Sequence, residues 1–256
     1  MNPRFASDWL VPDWDAPGVG AVMTTRAGGV STAPFDSMNL RDGLGDDASA
    51  VAENQHRLRQ AVGGVPVWLK QVHGATVVRL DSASARADAG VHSADASFTT
   101  EPGVVCAVQV ADCLPVLFAA PGARGVAAAH AGWRGLAGGV LEASLVALCE
   151  AARCEPGELQ AWLGACIGPR SFEVGADVLE AFGADPRGEA PAFVPFKPGK
   201  WHADLPLLAR GRLQAAGVRT IGGGSWCTVQ SASRFFSFRR DGVTGRMAAA
   251  VWIERA

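Results

Sequence analysis

Apolar residues in this chain gather into short runs separated by turn-forming residues. GAVMTT (20–25), PVWL (66–69), TVVRL (76–80), GVVCAVQV (103–110), PVLFAA (115–120), GVAAAH (125–130), AWLGAC (161–166), RFFSF (234–238) and MAAAVWI (247–253) are too short for helices and are predicted as strands. Three other windows have helical spacing. Asp46 or Asp47 can cap a helix through VAENQHRLRQAV (51–62), with Val51, Leu58 and Val62 on one side. LEASLVALCEAA (141–152) spaces Leu141, Leu145 and Leu148 in the same way. DLPLLARGRLQAAG (204–217) opens on Asp-x-Pro, aligns Leu205, Leu208 and Leu213, and stops at Gly217. The helix through LEASLVALCEAA is expected to begin near Leu136 or Gly138. Strands and helices that clump instead of alternating favour an α+β fold with mixed sheets over a doubly wound parallel sheet.

Two stretches, DSASARADAGVHSADAS (81–97) and GADPRGEAPAFVPFKPGK (183–200), are polar or rich in Pro and Gly, and read as long surface loops. Neither has the character of a linker between independent cores, so residues 1–256 are expected to form a single domain. No repeat, charge block or low-complexity tract interrupts the chain.

Composition narrows the function classes. The chain is 48% hydrophobic and 19% charged, with a net charge of -2. That balance argues against a nucleic-acid partner, which would call for a basic face, but leaves room for a small anion held by a local cluster. MNPRFASDWLVPDW at the N-terminus has acidic residues and prolines where a secretory signal would have an apolar core, and no apolar run reaches membrane-spanning length. A cytoplasmic protein with no membrane partner is the expectation. Six cysteines without a C-x-x-C pair read as mostly buried thiols in a reducing compartment.

VADCLPVLFAAPGARGVAAAHAGWRG (110–135) is the most informative segment. PGAR (121–124) is a turn signal between two strands, so a hairpin centred near Gly122 sets residue 113 opposite 131 or 132. Cys113 and His130 then become neighbours at the open end. His73, in LKQVHG, follows an apolar strand and precedes a glycine, and is the candidate third member. Two histidines and a cysteine suit zinc with a fourth position left for water or substrate. Separations of 40 and 17 residues match no zinc-finger spacing, however. Two other readings of the same residues stay open: a Cys113–His130 nucleophile–base dyad, and a core cysteine beside a histidine bonded to a backbone carbonyl.

Downstream, HAGWRGLAGG (130–139) offers glycines that let backbone approach a ligand, and Arg134 can make a bidentate contact to an oxyanion. A following helix would turn its free N–H groups toward the same place. Trp133 can stack on a base or fill the core. Arg26 in TTRAGGVS, and Arg239 and Arg240 in FFSFRRDG, are further cations whose default is solvated surface. The chain has no Walker sequence and no strand-linked G-x-G-x-x-G.

Taken in order, TTRAGGVS, SMNLRDGLGDD, KQVHGATV, ADASFTTEPGVVCAVQVADCLPVLF, AAHAGWRGLAGG, LGACIGPRSFEVG and FFSFRRDGVTGRMAAAVW closely resemble the YfiH-like family, over about residues 19–253. Its members have been labelled multicopper polyphenol oxidases or laccases, purine nucleoside phosphorylases and peptidoglycan editing factors. The resemblance implies a four-layer α/β/β/α sandwich in which His73, Cys113 and His130 hold zinc. It also implies phosphorolysis of adenosine, inosine or methylthioadenosine, with adenosine deamination as a further activity. On that expectation Cys113 and His130 serve the chemistry, while phosphate lies near Arg134 and the helix N-terminus with help from Arg26. Phe238 stands where the family commonly has tyrosine.

Three other functions fit less closely. A zinc amidase removing L-serine from a UDP-muramyl precursor would use the same centre and an anion site. A copper-dependent oxidase is disfavoured because five histidines cannot furnish several copper sites. A binding module with structural zinc would need four protein ligands. The expected partners are small: a nucleoside or nucleotide-linked substrate and phosphate, with a monomer as a plausible state.

Overall fold

A strand that is apolar on both faces requires a layer on each side. The computed structural model, which describes residues 5–86, 88–185, 188 and 190–255, shows two mixed sheets meeting this requirement for each other. The first runs β1 (Val19–Met23), β13 (Met247–Ile253), β5 (Val104–Val110), β2 (Val65–Val67), antiparallel except for the last pair. The second runs β12 (Thr220–Gly223), β8 (Gln160–Leu163), β6 (Leu114–Ala119), β7 (Val126–Ala131), β4 (Ala96–Thr99), β3 (Val77–Arg79), with parallel pairs only at its two edges.

Side-chain alternation sorts these strands into successive cores. Cys106, Val108 and Val110 of β5 join Ala249 and Val251 of β13 in a core shared with Leu117, Val126 and Ala128 of the second sheet. Val105 and Ala107, on the other face of β5, pack with Ala248, Ala250, Leu58 and Val62 beneath α1 (Ala48–Val62). The far face of the second sheet, with Phe118, Ala127 and Ala129, is covered by α3 (Val140–Ala152) and α5 (Leu205–Ala215) through Leu141, Leu145, Leu148 and Leu213. The layers therefore run α1, four-stranded sheet, six-stranded sheet, α3 with α5. This is the α+β fold with mixed sheets that the residue pattern favours, in the four layers that the family resemblance implies. Leu117 has no exposed surface and sits between the sheets. Leu117→Ala should cost about 2–5 kcal/mol by leaving a cavity, read as a lower denaturant midpoint with metal content unchanged.

Local signals fix the helix ends. Asp47, not Asp46, caps α1 by accepting from the N–H groups of Ser49 and Ala50, and Gly63 closes it at φ 67°. Asp204 caps α5 by accepting from Leu207 N–H.

Several expectations change. RFFSF is not a strand: Phe235 and Phe236 are fully buried, but Ser237 accepts a hydrogen bond from Arg240 N–H and starts the short helix α6 (Phe238–Asp241). AWLGAC leaves its sheet at Leu163. The helix expected near Leu136 or Gly138 is two helices, α2 (Trp133–Ala137) and α3, broken where Gly139 adopts φ 90°. The polar stretch 81–97 ends in buried β4, and Asp95 just before it has no exposed surface.

The stretch 183–200 holds β10 (Phe193–Lys197), which joins β11 (Lys200–Ala203) and β9 (Glu173–Val174) in a small antiparallel sheet beside α4 (Ala176–Ala181). Residues 87, 186, 187 and 189 of these two stretches, and residues 1–4 of the N-terminal segment, lie outside the described residues. Among the described residues, no helix is long and apolar enough to cross a membrane.

Candidate metal centre

The β6–β7 hairpin pairs Leu114 with Ala131 and Pro115 with His130. Its register brings Cys113, the residue before β6, beside the end of β7. His73 arrives from the segment after β2 with its backbone in the left-handed region, φ 61°. Cys113 Sγ lies 3.7 Å from His73 Nε2, and the two imidazoles stand edge to face with centroids 4.9 Å apart. One ligand atom from each of His73, Cys113 and His130 lies within 4.8 Å of the other two, and no other such cluster occurs among the described residues. His130 is buried, Cys113 half-buried and His73 exposed, so the cluster is closed on the protein side and open outward. Two imidazole nitrogens and a thiolate with one open side form a donor set that fits a tetrahedral metal such as zinc.

Asp95, overlooked in the sequence, assembles this centre. Its Oδ1 lies 2.8 Å from His130 Nδ1 and accepts from His73 N–H at 2.9 Å. Its Oδ2 accepts from the N–H groups of Val72 at 3.1 Å and Gly74 at 2.7 Å. One carboxylate thus stabilises the left-handed turn that presents His73 and orients the ring of His130, leaving Nε2 of His130 for the metal. A lone aspartate at the end of a polar stretch gives no such signal; only its place three residues before the aromatic of ADASF could have marked it.

The electrostatics agree. Burial alone would push the Cys113 thiol up, but hydrogen bonds from His130 and His73 and their positive charge bring it well below its ordinary value. Burial would likewise lower His130, yet Asp95 and the Cys113 thiolate outweigh it and raise the imidazole. Asp95 is held low against its burial by His130 and the N–H groups of Gly74 and Val72. The group is therefore poised as a thiolate beside an imidazolium, the charge pattern a cation replaces on binding.

Gly132 follows β7 at the closest point of approach. A Cβ there would lie 2.9 Å from His73 Cδ2 and 3.0 Å from Cys113 Sγ. Gly132→Ala is therefore expected to push two ligands apart and weaken metal binding by about tenfold or more, with the melting temperature of the metal-free protein little changed. Titration with a competing chelator reads the difference.

The remaining candidates divide. Trp133 and Arg134 begin α2 immediately after Gly132, with the exposed Arg134 guanidinium 4.2 Å from the Trp133 ring centroid. Arg26 is not brought to the cluster by any contact among the described residues. It pairs with Asp36 at 3.1 Å, donates to the carbonyls of Asp36 and Ala232, and packs over Phe236. Asp112, with φ 88°, is both a turn residue and a support: its carboxylate accepts from Thr228 Oγ1 at 2.5 Å and Arg239 N–H at 2.6 Å, fixing the turn that presents Cys113. Arg240 holds the carbonyls of Thr228, Val229 and Phe235 and pairs with Asp241. The Arg239 side chain reaches away from Asp112, to the Glu173 carbonyl and the face of Phe172.

Comparisons with known proteins match this architecture along nearly the whole chain. Residues 20–254 match a family described as multi-copper polyphenol oxidoreductase laccase. A Pseudomonas aeruginosa protein named purine nucleoside phosphorylase PA4543 is 51% identical over 96% of this chain and 98% of its own length. The Escherichia coli protein named purine nucleoside phosphorylase YfiH is 47% identical, covering 96% and 99%. Among solved structures, the Neisseria meningitidis protein NMB0706 superposes with a TM-score of 0.89 at 44% identity, over 97% of this chain and all of that one. YlmD from Geobacillus stearothermophilus gives 0.89 at 33% identity, with 98% of each chain covered.

Proposed function

This chain belongs to the YfiH-like family, described as multi-copper polyphenol oxidoreductase laccases, and we propose that it is a zinc-dependent purine nucleoside phosphorylase. The observation that carries the reading is the His73–Cys113–His130 cluster, ordered by Asp95 and open on one side. Relatives named purine nucleoside phosphorylase, matched over nearly their full length, support the reaction class. His56, His92 and His202 take no part in the cluster, which favours a single metal over a multi-copper centre.

His73, Cys113 and His130 hold the metal. Bound there, zinc supplies Lewis acidity and a fixed positive charge. Asp95 keeps the His130 proton on Nδ1, and its grip on residues 72–74 fixes the direction of His73. Trp133 offers the purine a stacking face at the rim, and Arg134, resting on that indole, adds a cation for phosphate. Arg26 acts by tying down the loop through Asp36. Phosphate attacks the anomeric carbon, the glycosidic bond breaks, and the products are free base and the sugar 1-phosphate: ribose 1-phosphate from adenosine or inosine, 5-methylthioribose 1-phosphate from methylthioadenosine. Adenosine, inosine and methylthioadenosine are the substrates. Hydrolytic deamination of adenosine, with water entering and ammonia leaving at the purine carbon, is a second activity of the same centre.

Chromatography of the products formed by zinc-loaded protein from adenosine, with and without phosphate, tests this. The expected result is adenine released only with phosphate, with inosine or hypoxanthine marking deamination. Cleavage of a muramyl-serine amide without release of any base would replace the reading with the amidase.

A further inference from the structure

Two arginines near the cluster are held together without an acidic partner. Antiparallel pairing of Met247 with Val110 sets Arg246 alongside the turn that leads to Asp112 and Cys113. From the other side, Leu40 N–H donates to the Arg246 carbonyl at 3.1 Å. Asn39 Oδ1 accepts from Arg41 N–H at 3.1 Å and from Arg246 N–H at 2.9 Å, so one buried amide clamps both residues. The segment is tied to the metal-site strands by Gln109 Nε2, which donates to the Leu40 carbonyl, while Gln71, two residues before His73, bonds both backbone groups of Gln109.

The guanidinium groups are unusual. Both side chains are half-buried. Arg41's makes no hydrogen bond or ion pair with any described residue, and Arg246's donates only to the carbonyls of Thr244 and Gly245 and lies over the exposed ring of Phe238. Burial, then the positive charge of Arg41, pulls the Arg246 pKa down, while Cys113 and Asp112 act against that fall. The Asp112 carboxylate is already hydrogen-bonded to Thr228 and to Arg239 N–H. Like charges kept close and partly sheltered from water, with guanidinium donors to spare, are matched by an oxyanion that can take hydrogen bonds from both.

We propose that Arg41 and Arg246 form the subsite for the inorganic phosphate co-substrate, on the side of the His73–Cys113–His130 cluster where Arg246 lies. The assignment rests on the phosphorolytic reading and adds the residues that bind its second substrate. Arg134, exposed on Trp133, then serves as a rim contact instead of the principal phosphate ligand.

Calorimetric titration of inorganic phosphate into zinc-loaded protein tests the subsite, comparing the parent with Arg41→Gln, Arg246→Gln and Arg134→Gln. The first two variants should each weaken phosphate binding by about tenfold to a hundredfold, the scale of a lost charge-assisted hydrogen bond, with Arg134→Gln affected less. Their zinc content should match the parent's. Arg41→Gln should melt no lower than the parent, because its guanidinium supports nothing in the fold; this variant carries the test if Arg246→Gln folds poorly. In the coupled assay, KM for phosphate should rise while KM for the nucleoside stays put. Unchanged phosphate affinity in Arg41→Gln, or no phosphate binding by the parent, overturns the subsite. Phosphate binding that depends on both arginines, without base release by the parent, overturns the phosphorylase reading and leaves the subsite standing.

Discussion

The Cys113→Ala protein should fold, retain the secondary structure of the parent, and carry less than about a tenth of an equivalent of zinc under conditions that load the parent fully. Phosphorolysis should fall by about three orders of magnitude. The expectation follows from where the cysteine sits. Cys113 lies at the open end of the inter-sheet layer, half-buried, before the first paired residue of β6. Cys113 packs against the edge of the inter-sheet core without being one of its fully buried members, so alanine removes a ligand and only a small amount of packing. With one ligand gone the two imidazoles remain, and two neutral nitrogens are a weak zinc site. Metal analysis beside a thermal melt separates the outcomes. Loss of metal and activity with the fold retained marks a catalytic centre, whereas collapse on losing the metal would make it structural.

Asp95→Asn should have the next largest effect, although Asp95 touches no metal in this scheme. Four donors converge on this carboxylate, two at each oxygen. An asparagine has one acceptor oxygen, so in either amide orientation two of the four lose their partner, at about 1–3 kcal/mol for each buried donor left unpaired. Zinc affinity should fall by about 10–100-fold as His73 and His130 lose their orientation. A merely structural role would lower stability and leave affinity in the folded fraction untouched. Chelator competition at a temperature where the variant is folded by circular dichroism distinguishes the two.

Half of the centre is legible in the sequence because hairpin pairing is local arithmetic. A turn at 121–124 sets Cys113 and His130 together, and the observed register of Leu114 with Ala131 agrees. His73 lies 40 residues before Cys113 and belongs to a turn of no regular structure, so spacing carries no information about it; the family resemblance supplies it. Asp95 was hidden for a different reason. Its work is done by hydrogen bonds to backbone, which any acidic residue can make, and it stands at the end of a stretch that composition marks as surface. The strands were legible where both faces are apolar, as in β5 and β13. They are hidden in β9 to β11, which are short, interrupted by Pro195 in β10 and largely exposed, so no alternation of faces marks them. RFFSF has a strand's apolar content because Phe235 and Phe236 fill the core, not because the segment pairs, and Ser237 caps a helix there instead.

The β6–β7 hairpin has one more consequence. Its ligand end and its turn end are separated by six-residue strands, about 20 Å of extended chain. Gly122 at the turn is exposed and has open space around it. A short peptide inserted at position 122, where φ 63° disfavours any side chain, would thus hang at the end of the hairpin away from the metal ligands. The protein has a natural handle by which it can be immobilised with its reactive mouth facing the solution.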